Sequence, residues 1–392
     1  MHRSVLLLAA FTFCSLACER KSPPFTAPET PTAQPRASSE QGPIVIGMLG
    51  SFTGSEASFG TVVRDGIQFA VDEVNAVGGV RGRKVELRSY DTQGKIEESV
   101  AAAKRLLTQD KVVLILGDVT SSGSLAIADA VQAARVPMVT PSSTHPDVTK
   151  KGDFVFRTCF IDPFQGGAMA RFARENLKLD RVAVLHDSKN ASSLGLSDTF
   201  TAAFKKLGGT VVAVESYSKG DTDYRAPLLA VKRAKPQALY LPGFYSEVGI
   251  IARQARELGL TQPLLGGDGW DSSRLFELAG GALEGAYFSS HYAMDNPAPE
   301  LRRFVSAFQA RYGRTPEAAS ALGYDAAKVS LAAIERAESL SGPAIRDALA
   351  RTKDFPAATG NLTLDAARNP VKPAVILTIR EGQARFAAAV TP

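Results

Sequence analysis

The sequence predicts an α/β protein of two successive lobes, each a parallel sheet with helices on both faces. Three observations carry this. Short apolar runs rich in β-branched residues alternate with amphipathic stretches from residue 44 onward, the pattern of βα units with right-handed crossovers. About nine such strands precede the late helices, too many for one compact mononucleotide-type sheet. Hydroxyl- and glycine-rich turns follow several strands, where an open α/β sheet takes its ligand.

The elements follow in order. Residues 44–49 form a buried strand, and 60–77 a helix with Val63, Ile67, Ala70, Val71 and Val74 on one face. Gly78-Gly79 ends that helix. Residues 85–90 alternate as a strand and 95–109 read as a helix. Residues 112–148 then read as strand, polar turn, helix, short strand, polar turn. Strand 112–116 ends in the turn 117–124 before a helix from Leu125, and strand 136–140 ends at Pro141-Ser142-Ser143-Thr144. Unpaired N–H groups at the first turn suit a carboxylate, although Ser and Thr there are also ordinary helix caps.

Asp162-Pro163 opens a helix over 164–177. Strands 181–186, 211–214, 238–241 and 264–266 alternate with helices 195–207, 224–233 and 246–258. Three helices, 299–312, 316–339 and 343–352, each begin near a proline, and 371–380 with 383–387 close as a hairpin around Glu381-Gly382.

Apolar content of 45% and charge of 22% in 392 residues are those of a globular protein large enough for two domains. The net charge of +5 with no basic block points away from nucleic acid. At the N-terminus, His2-Arg3 and an apolar core over 5–13 read as a signal peptide, too short to span a bilayer. Ser15-Leu16-Ala17-Cys18 resembles a bacterial lipobox, with serine in place of the usual leucine three before the cysteine. Residues 19–43, with six prolines and little apolar content, read as a disordered tether. With Cys14 in the leader and Cys18 lipidated, Cys159 has no disulfide partner.

Motifs for chemistry are few. The chain has no G-x-S-x-G elbow, no phosphate loop and no G-x-G-x-x-G after its first strand. His2, His145, His186 and His291 are scattered without metal-ligand spacing, so no metal or other cofactor is expected. A Ser–His–Asp site assembled in space stays open as a reading, because triads are defined by geometry. The sharpest polar group is Asp268, flanked by Gly267 and Gly269 beside the single tryptophan, Trp270. It is either a loop-tip carboxylate for a ligand or a turn aspartate bonding its own backbone. Phe244-Tyr245 stands at another strand end, where aromatics can wall a pocket.

These residues, in this order, resemble the substrate-binding proteins of bacterial ABC importers for branched-chain amino acids, the Leu/Ile/Val-binding family of type I periplasmic binding proteins. The resemblance runs from residue 44 to at least 337. It rests on Gly54-Ser55-Glu56-Ala57-Ser58-Phe59-Gly60, Asp72-Glu73-Val74-Asn75-Ala76-Val77-Gly78-Gly79, Thr120-Ser121-Ser122, Thr140-Pro141-Ser142-Ser143-Thr144, Phe156-Arg157 through Asp162-Pro163-Phe164-Gln165-Gly166, Gly267-Asp268-Gly269-Trp270 and Ala321-Leu322-Gly323-Tyr324-Asp325.

What the resemblance implies is a hinged pair of Rossmann-like lobes joined by three crossovers. Lobe 1 is expected over 44–161 and 293–368, lobe 2 over 162–292 and 369–390, after a signal peptide over 1–17 and a tether over 18–43. A ligand α-carboxylate would meet Ser121 and Thr144. The ammonium would meet the Ser142 carbonyl, Thr144 and Asp268, with Ser143 in the same turn and Phe59 and Phe244 against the ligand. The family usually has Tyr-x-x-Gly-Leu where this chain has Ser192-Ser193-Leu194-Gly195-Leu196, so Ser192 stands in the tyrosine's place and the pocket is larger or refilled by Tyr245 or Trp270. The implied role is non-enzymatic: a monomeric receptor, anchored through Cys18 in the periplasm or on the outer face of the cytoplasmic membrane, which hands an amino acid to permease subunits while a separate subunit hydrolyses ATP. A sensory receptor of the same fold for an amide, urea-like or aromatic ligand is the alternative, and an exported hydrolase a third reading.

Overall fold

In the computed structural model, residues 42–294 and 296–391 are described. The expected signal peptide, Cys18 and nearly all of the tether lie outside them.

The first sheet is laid down by β1 (Ile44–Gly50), α1 (Ala57–Ala76), β2 (Val85–Asp91), α2 (Ile96–Thr108), β3 (Ile115–Leu116), α3 (Ser121–Ala134), β4 (Met138–Thr140), the short α4 (Asp147–Lys150) and β5 (Val155–Arg157). Its five strands are parallel, in the order β2-β1-β3-β4-β5. The second sheet follows from α5 (Asp162–Arg171), β6 (Arg181–Asp187), α6 (Ala191–Lys206), β7 (Thr210–Tyr217), α7 (Arg225–Ala234), β8 (Ala238–Leu241), α8 (Tyr245–Glu257), β9 (Leu264–Gly266), α9 (Ser273–Ala279) and β10 (Tyr287–Ser290). After α10 (Pro299–Tyr312), α11 (Ala318–Arg336) and α12 (Gly342–Ala350), the chain returns as the hairpin β11 (Ala374–Arg380) and β12 (Gln383–Val390). That hairpin adds antiparallel to β10, giving β12-β11-β10-β9-β8-β6-β7.

Both sheets use the same winding: the second strand lies outside the first, and the third to fifth follow on the other side. Each therefore has a topological switch point, β1 against β3 and β6 against β8, whose carboxyl ends are the natural ligand position.

Side chains alternate between the two faces, as period-2 geometry requires. Met48 and Leu116 join the core under α1 and α11, while Leu49 and Ile115 join Leu106, Ile127 and Val131 beneath α2 and α3. In the second sheet Val182, Val184 and Tyr240 pack on Phe200 and Phe204 of α6, whereas Ala183, Leu185, Leu239 and Leu241 face Val248 and Ile251 of α8. The helices α1 and α11 approach backbone to backbone. A Cβ on Gly66 would lie 1.9 Å from the Ser320 carbonyl oxygen, and one on Gly323 would lie 2.3 Å from that of Val63.

Several expected boundaries move. The apolar run 112–116 enters the ladder only as Ile115–Leu116, although Val113 N–H donates to Val45 O and Gly47 N–H to Leu114 O alongside it. The helix expected from Leu125 starts at Ser121, because Thr120 caps it by accepting from Gly123 N–H at 3.2 Å. The polar residues 121–124 hid this, since they add nothing to the apolar period. The pattern also left α4, β5, α9 and β10 unassigned, all seven residues or shorter, too short for periodicity to mark. Among the described residues no helix is long and apolar enough to cross a membrane.

Candidate functional site

Every ligand residue expected from sequence sits on a turn at the carboxyl end of a strand or on the helix turn that follows. The first-sheet turns after β1, β3 and β4 carry Phe59, Ser121 and Ser142 to Thr144, and the second-sheet turns after β6, β8 and β9 carry Ser192, Phe244 and Asp268. The two sets meet. Thr144 Oγ1 and Ser192 Oγ share a hydrogen bond of 2.9 Å, Ala191 N–H donates to Ser122 Oγ at 3.2 Å, and the rings of Phe59 and Phe244 lie 5.9 Å apart between centroids.

The first-sheet wall is held by an internal hydroxyl network. Ser121 Oγ accepts from His145 N–H at 3.1 Å, tying the first turn to the second and leaving its own hydrogen free to donate. Ser142 Oγ donates to Val119 O at 2.6 Å. Ser143 is the residue least able to offer a side chain: its buried hydroxyl is engaged by Asp118 O, Ser124 and Thr140. Its carbonyl accepts from Arg157 Nη1 at 2.7 Å, and Arg157 Nη2 donates to His145 O at 2.8 Å. Arg157, fully buried, thus fixes the backbone of the second turn.

The opposite wall is centred on Asp268. Its Oδ1 accepts from Gln165 Nε2 at 2.8 Å and its Oδ2 from His291 Nε2 at 3.0 Å. Gln165 Nε2 also donates to Ser289 Oγ at 2.8 Å, and the His291 ring stacks on Phe160 with centroids 3.8 Å apart. Burial pulls the His291 pKa down, with Asp268 opposing. Burial thus favours the neutral ring, which can donate from Nε2 and orient the Asp268 carboxyl. The turn also needs Gly269, where a Cβ would come within 2.7 Å of Gly243 O and of the Phe244 ring.

A second carboxyl faces the same region. Asp162 is fully buried and burial pushes it up to about 8, with the Thr144 hydroxyl pulling it down and Asp268 pushing it up. Ser192 Oγ lies 3.4 Å from its Oδ1, while no described residue bonds its Oδ2. At neutral pH Asp162 therefore keeps a proton and Asp268 faces it without a second negative charge. The folded state holds that proton between the ordinary value of 3.8 and about 8, where the unfolded chain releases it. Stability from this group consequently falls as pH rises through that window and levels off above it. Asp162→Asn, of the same shape and always neutral, should gain thermal stability relative to the parent steadily from pH 5 to 8 in scanning fluorimetry. Parallel pH profiles would refute the assignment.

The turn after β1 is tied to the second sheet by Tyr245, whose Oη donates to Ser55 O at 2.9 Å. Two expectations about the wall thus need correction. Trp270 does not refill the place left open by Ser192: it is fully buried beneath Gly266, with Nε1 donating to Leu241 O at 3.0 Å. Tyr245 is buried too, and its hydroxyl is spent on residues 55–58. The end of the site nearest Ser192 stays lined by hydroxyls and Leu196, in a narrow gap with Asn190, Phe244, Gly267, Asp268 and Gly269. A roomier cavity of ≈ 560 Å³ lies apart, between Phe288, Met294, Leu377 and Phe386. It reaches Asp271 and Ser272 but none of the expected ligand residues.

Gln165, His291, Asp162 and Arg157 were not singled out as site residues from sequence. Asp162, Gln165 and Arg157 stand in the motif over 156–166, but its spacing assigns them no role. His291 has no metal-ligand or catalytic spacing in the sequence, and only the fold brings it to Asp268, 23 positions away.

The model of the family described as periplasmic binding protein matches residues 43–384. The chain belongs to that family. Its fold is that of the type I periplasmic binding proteins, as the ordered motifs implied, and the family is one of solute-binding proteins of the periplasm. This binding protein is 35% identical to a Leu/Ile/Val-binding protein homologue of Brucella melitensis, over 83% of this chain and 88% of that one. It is 31% identical to a leucine-, isoleucine-, valine-, threonine- and alanine-binding protein of Pseudomonas aeruginosa, over 82% of this chain and 86% of that one. Among solved structures, a leucine-binding protein from Thermotoga maritima superposes with TM-score 0.85 at 40% identity, covering 89% of this chain and 99% of that chain. A branched-chain amino acid transporter substrate-binding protein from Streptococcus pneumoniae, solved with isoleucine, gives 0.85 at 33% identity, covering 89% and 100%.

Proposed function

We propose that this binding protein captures a small L-α-amino acid between its two sheets and delivers it to the permease of an ABC importer. The observation that carries the reading is the Asp268 carboxylate, held by Gln165 and His291 on the gap that Ser192 also lines, with the Ser192 hydroxyl bonded to Thr144 of the first sheet's turn. A zwitterion matches that polarity: neutral hydroxyls and helix N–H groups for the carboxylate, one carboxylate with the Ser142 carbonyl for the ammonium. Phe59 and Phe244 supply the apolar cover. The names of the relatives agree with the same ligand class.

Ser192 and its neighbours favour a side chain that is small or carries a hydroxyl, alongside the aliphatic ones. Lobe 1 is taken as 44–161 with 293–368, and lobe 2 as 162–292 with 369–390, rotating about three crossovers. A ligand bridging both lobes then stabilises the closed arrangement. The receptor is read as non-catalytic and monomeric, exported by the leader over 1–17 and held at the membrane through Cys18. A Cys18→Ala variant released from the membrane fraction would support that anchor.

The test is thermal shift across the L-amino acids and a panel of small amides. Ligand at 100 times Kd stabilises by about 2.7 kcal/mol. We expect positive shifts with aliphatic and small hydroxyl amino acids; no shift with any amino acid sinks the assignment.

A further inference from the structure

We propose that the first turn of α1 is a latch for closure: Tyr245, Ser272 and Lys219, from three turns of the second sheet, grip residues 55–58 and set how long a captured solute is retained, whatever its side chain. The inference rests on the reading of the cleft as an amino-acid site that closes by lobe rotation.

The grip has three parts, each at a residue outside the expected ligand contacts. Tyr245 Oη donates to Ser55 O at 2.9 Å and accepts from Ser58 N–H at 3.2 Å. Ser58 Oγ and Ser272 Oγ share a bond of 3.2 Å. Lys219 Nζ pairs with Glu56 Oε1 at 2.7 Å and donates to Gly94 O at 3.2 Å. Lys219 follows β7, Tyr245 opens α8 after β8, and Ser272 follows β9, whereas Ser55, Glu56 and Gly94 lie on the first sheet's turns and Ser58 in the first turn of α1.

The first turn of a helix carries N–H groups without intrahelical partners, and a cap side chain usually serves one of them. Helix α1 has no such cap: the Glu56 side chain makes no capping bond. The Tyr245 hydroxyl, from the other lobe, serves Ser58 N–H instead. Glu56 is equally dependent, since its side chain is buried and Lys219 is the cation bonded to it. Separating the lobes strips α1 of its cap and Glu56 of its counter-charge together. These terms favour closure without reading the ligand.

The experiment measures association and dissociation rates for L-leucine and L-alanine on the full chain and on Tyr245→Phe, Lys219→Met, Glu56→Gln and Glu56→Gln/Lys219→Met. A hydrogen bond contributes about 0.5–1.5 kcal/mol net and a charged one about 1.5–3 kcal/mol. Tyr245→Phe should therefore raise koff by about 2- to 10-fold and Lys219→Met by about 10-fold or more, with kon little changed. The factor should be equal for leucine and alanine, and the Glu56/Lys219 double variant should lose no more than either single one. Unchanged koff in both Tyr245→Phe and Lys219→Met, or a factor that differs between the ligands, overturns the latch. If the parent binds neither amino acid, the proposed ligand class falls separately. The latch is then judged by solution scattering of the same proteins: a larger radius of gyration in Lys219→Met than in the parent supports it, and equal radii overturn it.

Discussion

Asp268→Ala should abolish amino-acid capture, lowering affinity by about 3–5 kcal/mol, or roughly two to three orders of magnitude or more. Two losses add in this variant. The ligand ammonium would be desolvated in the cleft without a carboxylate, and Gln165 Nε2 and His291 Nε2 would both lose the oxygen that now accepts from them at 2.8 and 3.0 Å. Removing one partner of a buried charged pair is the expensive case, because the other partner is left unpaired. Asp268→Asn keeps an oxygen for one of the two donors but supplies no charge, so it should bind measurably better than the alanine variant and far worse than the parent. Isothermal calorimetry with L-leucine and L-alanine decides the matter; affinity within threefold of the parent in Asp268→Ala would remove Asp268 from the site.

A large effect on folding is expected for Gly66→Ala. In the middle of a helix, alanine normally gains about 1 kcal/mol over glycine. Here the added methyl would meet the Ser320 carbonyl oxygen at 1.9 Å and Tyr324 N at 3.0 Å, both on α11. Neither contact is the end of a flexible side chain, so α1 and α11 must separate. Overpacking of this kind costs about 1–3 kcal/mol and occasionally more, and the backbone contact places Gly66 at the upper end. The net effect should be a loss of about 2 kcal/mol, seen as a lower urea midpoint. Gly167→Ala in α5 is the control. Its Cβ would meet nothing within 4 Å, so that variant should be neutral or slightly stabilised. Equal midpoints for the two variants would show that helix propensity, not interhelix distance, governs both sites.

Much of this molecule was legible in residue order alone. The alternation of apolar strands and amphipathic helices marked two α/β lobes, because periods of 2.0 and 3.6 residues are local properties of the backbone. The turns that carry Ser121, Ser142, Thr144, Phe244 and Asp268 were legible as well. A chain leaving a parallel strand for a crossover helix must turn at the sheet's carboxyl edge, and polar residues collect there. The ordered motifs added the family.

The tertiary structure decided which of those polar groups are free. Ser142 and Ser143 read alike in sequence, yet Ser143 is consumed by Asp118, Ser124, Thr140 and Arg157 while Ser121 keeps a hydrogen to donate. Trp270 and Tyr245 looked available for the open wall, and packing sent one into the core and the other to α1. His291 and Gln165 were invisible as partners of Asp268, lying 23 and 103 positions from it. The physical reason is the same in each case. Secondary structure follows from the local repeat of side chains, whereas the charge, proton and hydrogen-bond state of a buried group follow from neighbours that only folding brings within 3 Å. Sequence by itself determined which residues stand on the turns at the sheets' carboxyl edges; the fold determined which of their polar atoms are already engaged.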